Sequence, residues 1–436
     1  MSEDNLLNEI ISLKTNPENA ISVEKNMTQY LKQTEKERTL EQQKTDEYIM
    51  SKRSVSKDMY ESKSNNLIKE LNIKQSEIEF QSNYAPMLIV EMTKENIKQA
   101  AKNISVLSIS LDDKTEAQPE TMAIMKETTG VNLTRTATGL TGNNINVGLS
   151  EYNGSPSHSD LGNRVTVLGI NDPDTHATNV ARIMGGINGV APCINIFSAY
   201  SNYGDIEALL DKGVKVINCS WGVLGHSSPR TDFYDNREMW FDHIIVRHNV
   251  SVVKSAGNNN IDTHHISSPG LAHNVITVGA ISHNNATDTN VHQLGTDNDN
   301  TPYSRYQNGT GVAKPDVIAI GDYDSDGITH GTSYAAPVIT GIIALMLELR
   351  PSLATQPEAI KAIIIASSHH KVLPSASGEQ QEEMWQGLTD RQGAGAPDAY
   401  TAIAITARKQ YGIQQMSGTT REDNIYTSLF QQMLPV

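Results

Sequence analysis

Ser333 is the residue whose sequence setting most directly suggests covalent chemistry. It follows Gly331 and Thr332 in HGTSYAAP, and small and apolar residues continue to residue 346. That run predicts a buried helix, whose first turn offers unpaired backbone N–H groups and the positive end of the helix dipole. A hydroxyl at this point could attack a carbonyl beside ready-made stabilisation for an oxyanion. Gly-Thr-Ser also serves as a simple helix N-cap, so the partner residues must decide between the two interpretations.

The partners come from a family resemblance that covers most of residues 140–410. HGTSYAAP resembles the nucleophile motif of the subtilisin-like serine proteases, and further segments resemble other blocks of that family in the family's order. DTHATNVARIMGGINGVAP is similar to the histidine block and places His176 as the general base. VVKSAGNNN is similar to the block that supplies an oxyanion donor and places Asn258 there. The resemblance implies peptide hydrolysis through an acyl-enzyme.

The acid of the implied triad departs from the family's pattern. The family has an aspartate at the end of the first strand and SHPDL after it, whereas this chain has INVGLSEYNGSPSHSDL. Aligning SHSDL with SHPDL puts Glu151 at the acid position and Asp160 at the later aspartate. His158, in the same stretch, is expected to be a structural or surface residue.

Glutamate can replace aspartate in this role only under a geometric condition. Any buried carboxylate can accept the imidazole N–H, fix the tautomer and stabilise the imidazolium. The glutamate side chain is about 1.5 Å longer, so the strand end must draw back or the side chain must fold. The alternative is that Glu151 marks a triad that has lost its function.

Other positions near the implied site also differ from the family. Asn179 replaces the second histidine of the histidine block, and Arg182 replaces a glycine that normally lets this helix pack, so the helix is expected to pack differently. The resemblance further implies that two segments bind the substrate: Ser220, Trp221 and Gly222, and Ser255, Ala256 and Gly257. Trp221 replaces a usual leucine and is equally well explained as a core aromatic residue.

The elements that must position these residues follow from the hydrophobic pattern after residue 140. Short β-rich runs such as RVTVLGI, NVITVGAI and DVIAI alternate with helical segments. Several runs are apolar nearly throughout, which indicates strands covered on both faces of a parallel sheet. In such sheets the loops at the carboxyl ends of the strands hold the functional residues. We therefore expect an α/β fold, a subtilisin-like three-layer domain with a mainly parallel sheet over residues 141–412.

The segment before this domain has a different composition, because all 30 glycines lie at or after Gly130. Residues 1–45 predict a polar helical or disordered leader. Residues 46–113 follow an αββαβ pattern, which indicates a small α+β ferredoxin-like domain without its first strand. Residues 114–140 are predicted to be a linker, and residues 413–436 a C-terminal tail without an assigned role.

The ferredoxin-like pattern also resembles the propeptide of the same family over the segment from SEIEFQS to VLSISLDD. That resemblance implies an N-terminal domain that acts as an intramolecular inhibitor and is separated by self-cleavage in the linker. The alternative is a permanently attached binding domain.

The net charge, the apolar runs and the cysteines of the chain limit which partners and which compartment are expected. The formal net charge is −15 and no sustained basic block occurs, so nucleic-acid binding is not expected. The start lacks the apolar core of a secretory signal, and no run of about eighteen apolar residues predicts a membrane partner. Cys193 and Cys219 both lie in apolar segments and are expected to be buried thiols. We expect a cytoplasmic protein whose partners are a protein or peptide substrate and its own N-terminal domain.

No cofactor is expected. In GDYDSDG, Asp322, Asp324 and Asp326 have the spacing that opens an EF-hand loop, but Ser333 occupies the twelfth position, where a bidentate acid is required. We interpret this segment as a solvated loop. Subtilisin-like proteases often bind structural calcium, but no ligand set can be assigned, so no metal-binding residue is predicted.

The leading hypothesis is therefore a serine endopeptidase made as a precursor. An alternative from another class is a catalytically inactive subtilisin-like binding protein. A third hypothesis is a processing protease with one dedicated substrate.

Overall fold

The computed structural model describes residues 35–107, 109, 129–169, 171–222, 234, 236–258, 266–281, 294–296, 314–321, 331–369, 372–373, 392–409 and 411. We call residues 35–107 the N-terminal unit and residues 129–411 the C-terminal unit. The strands are β1 Ile78–Gln81, β2 Leu88–Val90, β3 Asn146–Glu151, β4 Val165–Val167, β5 Asn195–Tyr200, β6 Val216–Cys219, β7 Ser251–Ser255, β8 Ile276–Ile281, β9 Leu294–Thr296, β10 Val317–Ile320, β11 Ser368–His369, β12 Val372–Leu373 and β13 Ala396–Pro397. The α-helices are α1 Glu35–Glu70, α2 Lys94–Ala100, α3 Val131–Thr138, α4 Thr175–Gly185, α5 Tyr203–Asp211, α6 Asn236–His248, α7 Thr332–Leu349, α8 Pro357–Ala366 and α9 Ala399–Arg408.

A seven-stranded sheet forms the centre of the C-terminal unit. Its strand order is β10-β8-β7-β6-β3-β5-β4, and every neighbouring pair is parallel. Successive side chains of a strand point to opposite faces, and both faces are covered here, because Val216 lies in one buried cluster and Ile217 in another. Helices α4 and α7 contribute to the first cluster, and helices α5 and α6 to the second. The predicted three-layer α/β fold with a mainly parallel sheet is confirmed.

Helix α7 is the apolar helix that follows Gly331. Among the described residues it is the one helix long and apolar enough to cross a membrane, yet nearly all of it is buried inside the protein. It packs on β6, β7 and β8 in the middle of the sheet. It is therefore a core helix, as its sequence predicted.

The N-terminal unit consists of α1, the antiparallel β1–β2 hairpin and α2. Helix α1 begins at Glu35 and continues through residue 45, so the boundary predicted between leader and ferredoxin-like domain falls inside one helix. The polar residues before position 46 favour a helix but form no apolar stripe. Hydrophobic periodicity therefore does not indicate that the helix begins before this position. The strand expected within 106–113 lies mostly outside the described residues and stays a prediction.

The second half of the predicted linker is folded against the C-terminal unit. Val131 is fully buried, and the Thr129 carbonyl accepts a hydrogen bond of 2.9 Å from the Ala399 N–H at the start of α9. Residues 129–140 therefore belong to the C-terminal unit. Residues 114–128, the aspartates of GDYDSDG and the tail at 413–436 lie outside the described residues.

The two cysteines differ in exposure. Cys219 is buried at the end of β6, but Cys193 is exposed, so the prediction of two buried thiols was wrong for Cys193. Cys193 lies in the turn before β5, where its neighbours Ala191 and Ile194 point into the core instead. Both thiols are free.

Candidate active site

Glu151 is the last residue of β3, a strand in the interior of the sheet. It is fully buried and pairs with Tyr200 of β5. The preceding residue, Ser150, is also held in place, because its hydroxyl accepts a hydrogen bond of 2.9 Å from the Trp221 indole N–H and lies 3.3 Å from the Tyr200 carbonyl. The carboxylate therefore projects from a strand end with little freedom to move.

His176 lies in the first turn of α4 and faces Glu151. The Asp174 side chain caps this helix by accepting a hydrogen bond of 2.8 Å from the Ala177 N–H, which fixes the position of the histidine. The His176 Nδ1 and Glu151 Oε2 atoms are 2.8 Å apart, and both side chains are buried. When Glu151 is ionised, this contact requires the proton on Nδ1, which leaves Nε2 as the basic nitrogen.

The environment of Glu151 has two opposing effects on its ionisation. The pKa of the Glu151 carboxyl is raised above its ordinary value, because burial raises it by more than the adjacent His176 lowers it. Ionised Glu151 is thus costly by itself and is stabilised by the imidazole. This coupling suits a carboxylate whose task is to stabilise a positive charge on the ring.

Ser333 is the second residue of α7 and is 7% exposed. Among the described residues its hydroxyl donates to the Ser220 carbonyl, at 3.1 Å, and makes no hydrogen bond with His176. The imidazole is nevertheless beside the start of this helix, since the rings of His176 and Tyr334 are 5.5 Å apart. The hydroxyl must turn from the Ser220 carbonyl before His176 can accept its proton.

Asn258 follows β7 and contacts the residue before Ser333. Its Oδ1 atom accepts a hydrogen bond of 2.9 Å from the Thr332 N–H. The Thr332 hydroxyl accepts one of 3.0 Å from the Gly257 N–H and lies 3.0 Å from Asn258 Oδ1. Gly331 permits this approach, because a Cβ atom there would lie 3.2 Å from Asn258 Nδ2. The Asn258 oxygen is thus engaged by Thr332, and the Asn258 side chain is exposed beside the start of α7.

The first predicted substrate segment lies against Ser333, but two of its side chains serve the interior. The Ser220 hydroxyl is fully buried and donates to the Ser333 carbonyl at 2.6 Å, so the two serines are bonded reciprocally. Trp221 is 2% exposed and bonded to Ser150, which makes its side chain a core aromatic residue. Gly222 is partly exposed, so its backbone is the reachable part of this segment.

The second predicted substrate segment lies beside a buried cation. Ser255 and Ala256 are buried, and Gly257 is partly exposed. The neighbouring Lys254 is fully buried, and its ammonium donates to the Ser255 carbonyl, to Ser267 Oγ at 3.0 Å and to Ser255 Oγ at 3.2 Å. Burial lowers the pKa of Lys254 to about 7.

Three features of the site were not found by sequence reasoning. Thr332 orients Asn258, and Lys254 lies under the second substrate segment. The third is a buried chain in which Thr340 donates to Asn218 Oδ1 at 3.0 Å and Asn218 donates to Ser220 Oγ at 2.9 Å. Polar residues within the otherwise apolar β6 and α7 segments were the available signal, because a buried polar side chain needs a partner.

The remaining acidic and basic residues of the histidine region form a separate group. Arg182 donates to Asp160 Oδ2 from both Nε, at 3.2 Å, and Nη2, at 3.1 Å. His158 is half-exposed and accepts a hydrogen bond of 3.1 Å from the Asp160 N–H, which makes it a turn-capping residue. Asn179 is buried. The Arg182 side chain is directed to Asp160, and the expected difference in the packing of this helix stays a prediction.

The described residues contain no group of three or more histidine, cysteine, aspartate or glutamate side chains that could hold a metal ion. The aspartates of GDYDSDG are outside that set. The absence of a calcium ligand set therefore stays a prediction.

Comparison with known proteins gives relatives of one kind. The Peptidase S8 family model, described as "Subtilase family", matches residues 168–400, a range that includes His176, Asn258 and Ser333 and begins after Glu151. Fervidolysin from Fervidobacterium pennivorans is 30% identical over 162 residues, which cover 33% of this chain and 20% of fervidolysin. Serine protease AprX from Bacillus subtilis (strain 168) is 31% identical over 139 residues, which cover 26% of this chain and 29% of AprX. The matches thus span less than a third of either curated relative.

Among solved structures, the prenylagaramide maturation protease PagA is similar to this chain. It is 20% identical, with a TM-score of 0.47, and the match covers 63% of this chain and 98% of PagA.

Proposed function

Because this chain belongs to the subtilase family, we propose that it is a serine endopeptidase that hydrolyses peptide bonds in protein or peptide substrates. The observation that best supports this proposal is the buried 2.8 Å contact between His176 Nδ1 and Glu151 Oε2. It lies at the same end of the sheet as Ser333 and Asn258, since Glu151 ends β3 and Asn258 follows β7. Burying a carboxylate costs free energy that its pairing with the imidazole offsets, and a triad requires this pairing.

In the proposed mechanism the Ser333 hydroxyl attacks the scissile carbonyl carbon while His176 Nε2 takes its proton. The protonated imidazole gives this proton to the leaving amine, and an acyl-enzyme remains on Ser333 Oγ. A water molecule, deprotonated by the same imidazole, then releases the carboxylic acid product. Glu151 holds the ring in the required tautomer and stabilises its positive charge during both steps.

The tetrahedral oxyanion would be held by two donors. One is the Asn258 Nδ2 amide, whose orientation is set by the contacts of its oxygen with Thr332. The other is the Ser333 backbone N–H at the start of α7, where the helix dipole also favours negative charge. Removal of one side-chain donor of this kind costs about 10² to 10³ in turnover.

We further propose that the protein is made as a precursor in which the N-terminal unit acts as inhibitor. Its β1–β2 hairpin lies on α5, where the Glu207 carboxylate accepts hydrogen bonds from the Asn83 N–H, at 3.0 Å, and from the Ser82 hydroxyl. These contacts place the hairpin on a helix that directly follows β5, the strand paired with Glu151. The segment after the unit would reach the site as a product-like strand and would be cut within 114–128.

One observation favours the alternative of a catalytically inactive binding protein. The Ser333 hydroxyl is engaged with Ser220 rather than with His176. Catalytic hydrogen bonds are often long or misaligned before substrate binds, so this geometry does not decide the question.

A fluorophosphonate probe separates the two functions. Wild type should be labelled and should hydrolyse an unstructured protein such as casein, and Ser333→Ala should do neither. Ser56→Ala, on α1, is the control and should behave as wild type. Absence of labelling in wild type, both before and after a cut in the linker, would refute the peptidase proposal and favour the binding protein.

The precursor proposal has its own readout. Intact mass measurement of purified wild type should show a cut within 114–128, whereas Ser333→Ala should keep its full length. Equal, full-length masses for the two proteins would rule out self-processing.

A further inference from the structure

The two ends of strands β6 and β7 have different neighbours. The strands are parallel, and Ser220 and Asn258 follow their carboxyl ends. Leu210 and Val214 precede β6, and His248 and Asn249 precede β7, so these residues lie at the opposite edge of the sheet. A contact with them is remote from the proposed catalytic chemistry.

Arg53, on helix α1 of the N-terminal unit, occupies that opposite edge. It is 1% exposed, and its guanidinium donates hydrogen bonds to four backbone carbonyls. The partners and distances are Leu210 at 2.6 Å, His248 at 3.0 Å, Val214 at 3.1 Å and Asn249 at 3.5 Å. Leu210 and His248 belong to the last turns of α5 and α6, where carbonyls lack a partner in the regular helix pattern, and the Leu210 carbonyl also accepts a hydrogen bond of 3.0 Å from the Gly213 N–H. One cation thus binds carbonyls at the ends of both helices.

This arrangement is difficult to reverse. Removing Arg53 would take a charged donor from four carbonyls at the negative ends of two helix dipoles, of which the Leu210 carbonyl would keep the Gly213 N–H. Burial lowers the pKa of Arg53 to about 10, so the guanidinium remains charged at neutral pH and its hydrogen bonds are charge-assisted. The planar guanidinium reaches several acceptors at once, which a lysine could not do.

Other contacts extend along α1 on both sides of Arg53. The Glu41 carboxylate accepts a hydrogen bond of 3.3 Å from the Ser352 N–H, Asp46 pairs with the buried Lys215 at 2.5 Å, and the Tyr60 hydroxyl lies 2.8 Å from His243 Nε2. Ile49 is fully buried in the core of the C-terminal unit. From Glu41 to Tyr60 the helix advances about 28 Å, so the contact covers five turns.

The hairpin contact joins this one at His248. The His248 carbonyl accepts from Arg53, and its Nε2–H donates to the Tyr84 carbonyl at 2.6 Å. Tyr84 is 1% exposed, and its hydroxyl donates to Asp211 at the end of α5. Helix α1 and the hairpin therefore bind the same pair of helices from two directions.

We propose that the N-terminal unit is a permanent subunit of the folded protein, which stays bound through Arg53 after the chain is cut within 114–128. A contact of five helical turns at the edge of the sheet opposite the proposed catalytic residues does not serve to block the active site. It would also slow the release of an inhibitor that has to dissociate. The docking itself does not depend on the proposed peptidase activity. A cut that the protein makes in its own chain does depend on that activity.

The test separates docking from activity by using an external protease. A recognition sequence for a site-specific protease replaces residues 115–121 in the full-length Ser333→Ala protein, which is cut completely and applied to size exclusion at micromolar and nanomolar concentrations. We expect both fragments to elute together at the volume of the uncut protein. Separate elution at micromolar concentration would overturn the proposal, whatever the activity of wild type.

The role of Arg53 is tested in the same background. Arg53→Met, once its circular dichroism before cutting matches that of the parent, should release the N-terminal fragment at least tenfold faster on dilution. Lys69→Met removes an exposed positive charge from the same helix and should not change the rate. If Arg53→Met does not fold, Arg53→Lys gives the comparison, since it keeps the charge and reaches fewer carbonyls. Release of either Arg53 variant at the parental rate would show that Arg53 does not hold the unit.

Discussion

Shortening Glu151 to aspartate would restore the residue that the family uses and break the geometry that this chain has. The present contact between Oε2 and His176 Nδ1 is 2.8 Å. Loss of one methylene withdraws the carboxylate by about 1.5 Å and opens the contact to about 4.3 Å, beyond hydrogen-bond range. Strand β3 cannot advance to close the gap, because Glu151 pairs with Tyr200 and Ser150 is bonded to Trp221.

The expected loss follows from the two roles of the carboxylate. A misplacement of about 1 Å costs on the order of 10²-fold in rate, and loss of the correct imidazole tautomer about 10⁴-fold. We expect Glu151→Asp to lower kcat/KM by about 10²- to 10⁴-fold, which corresponds to about 3 to 5 kcal/mol in the activation barrier. Glu151→Gln keeps the length but loses the charge, and it should lie at the lower end of activity.

The assay is kcat/KM on fluorogenic peptides, normalised to the concentration of folded enzyme by circular dichroism. Asp160→Asn is the matched control, because that carboxylate pairs with Arg182 instead of His176, and it should retain activity. Glu151→Asp with activity equal to or above that of wild type would refute the proposed triad geometry. An equal loss in Asp160→Asn would indicate a general effect of charge removal.

Three further changes have separate readouts. Asn258→Ala should lower kcat by about 10²- to 10³-fold with little change in KM, and Michaelis kinetics would contradict this if KM rose instead. Trp221→Phe should lower the free energy of unfolding by about 1 kcal/mol, because the hydrogen bond to Ser150 is lost, and should leave KM unchanged. A raised KM would show that the Trp221 side chain binds substrate. For Lys254, whose pKa is about 7 when folded and ordinarily 10.5, the unfolded chain holds more protons between these values. The free energy of unfolding of wild type should therefore rise relative to that of Lys254→Met from pH 7 to pH 10, by up to about 1.4 kcal/mol per pH unit. Urea denaturation at each pH measures this difference. A difference that does not change with pH would mean that Lys254 titrates outside this range.

The parallel sheet and the position of Glu151 could both be predicted from sequence. A strand that is buried on both faces has apolar residues at nearly every position. A surface strand or helix has polar residues at regular intervals instead. The Glu151 position followed from a fixed spacing to SHSDL, and the structure places that carboxylate 2.8 Å from His176. Spacing works here because residues of one strand and the turn after it keep a fixed distance whatever the rest of the chain does.

The contacts that depend on distant packing could not be predicted. Arg53 lies in a polar helix with no apolar stripe, and its four carbonyl partners come from segments more than 150 positions away. The Arg182 guanidinium likewise pairs with Asp160, a carboxylate that the helix pattern alone does not indicate. A single sequence shows the type of a charged residue and not the acceptor that it finds.

The placement of Arg53 also explains how one sheet can serve two purposes without conflict. Strands β6 and β7 are four and five residues long, with the docking carbonyls at their amino ends and Ser220 and Asn258 after their carboxyl ends. Because each strand is paired on both sides, a change at one end is resisted by the ladder before it reaches the other. The N-terminal unit therefore contacts α5 and α6 from the edge of the sheet opposite the proposed catalytic residues.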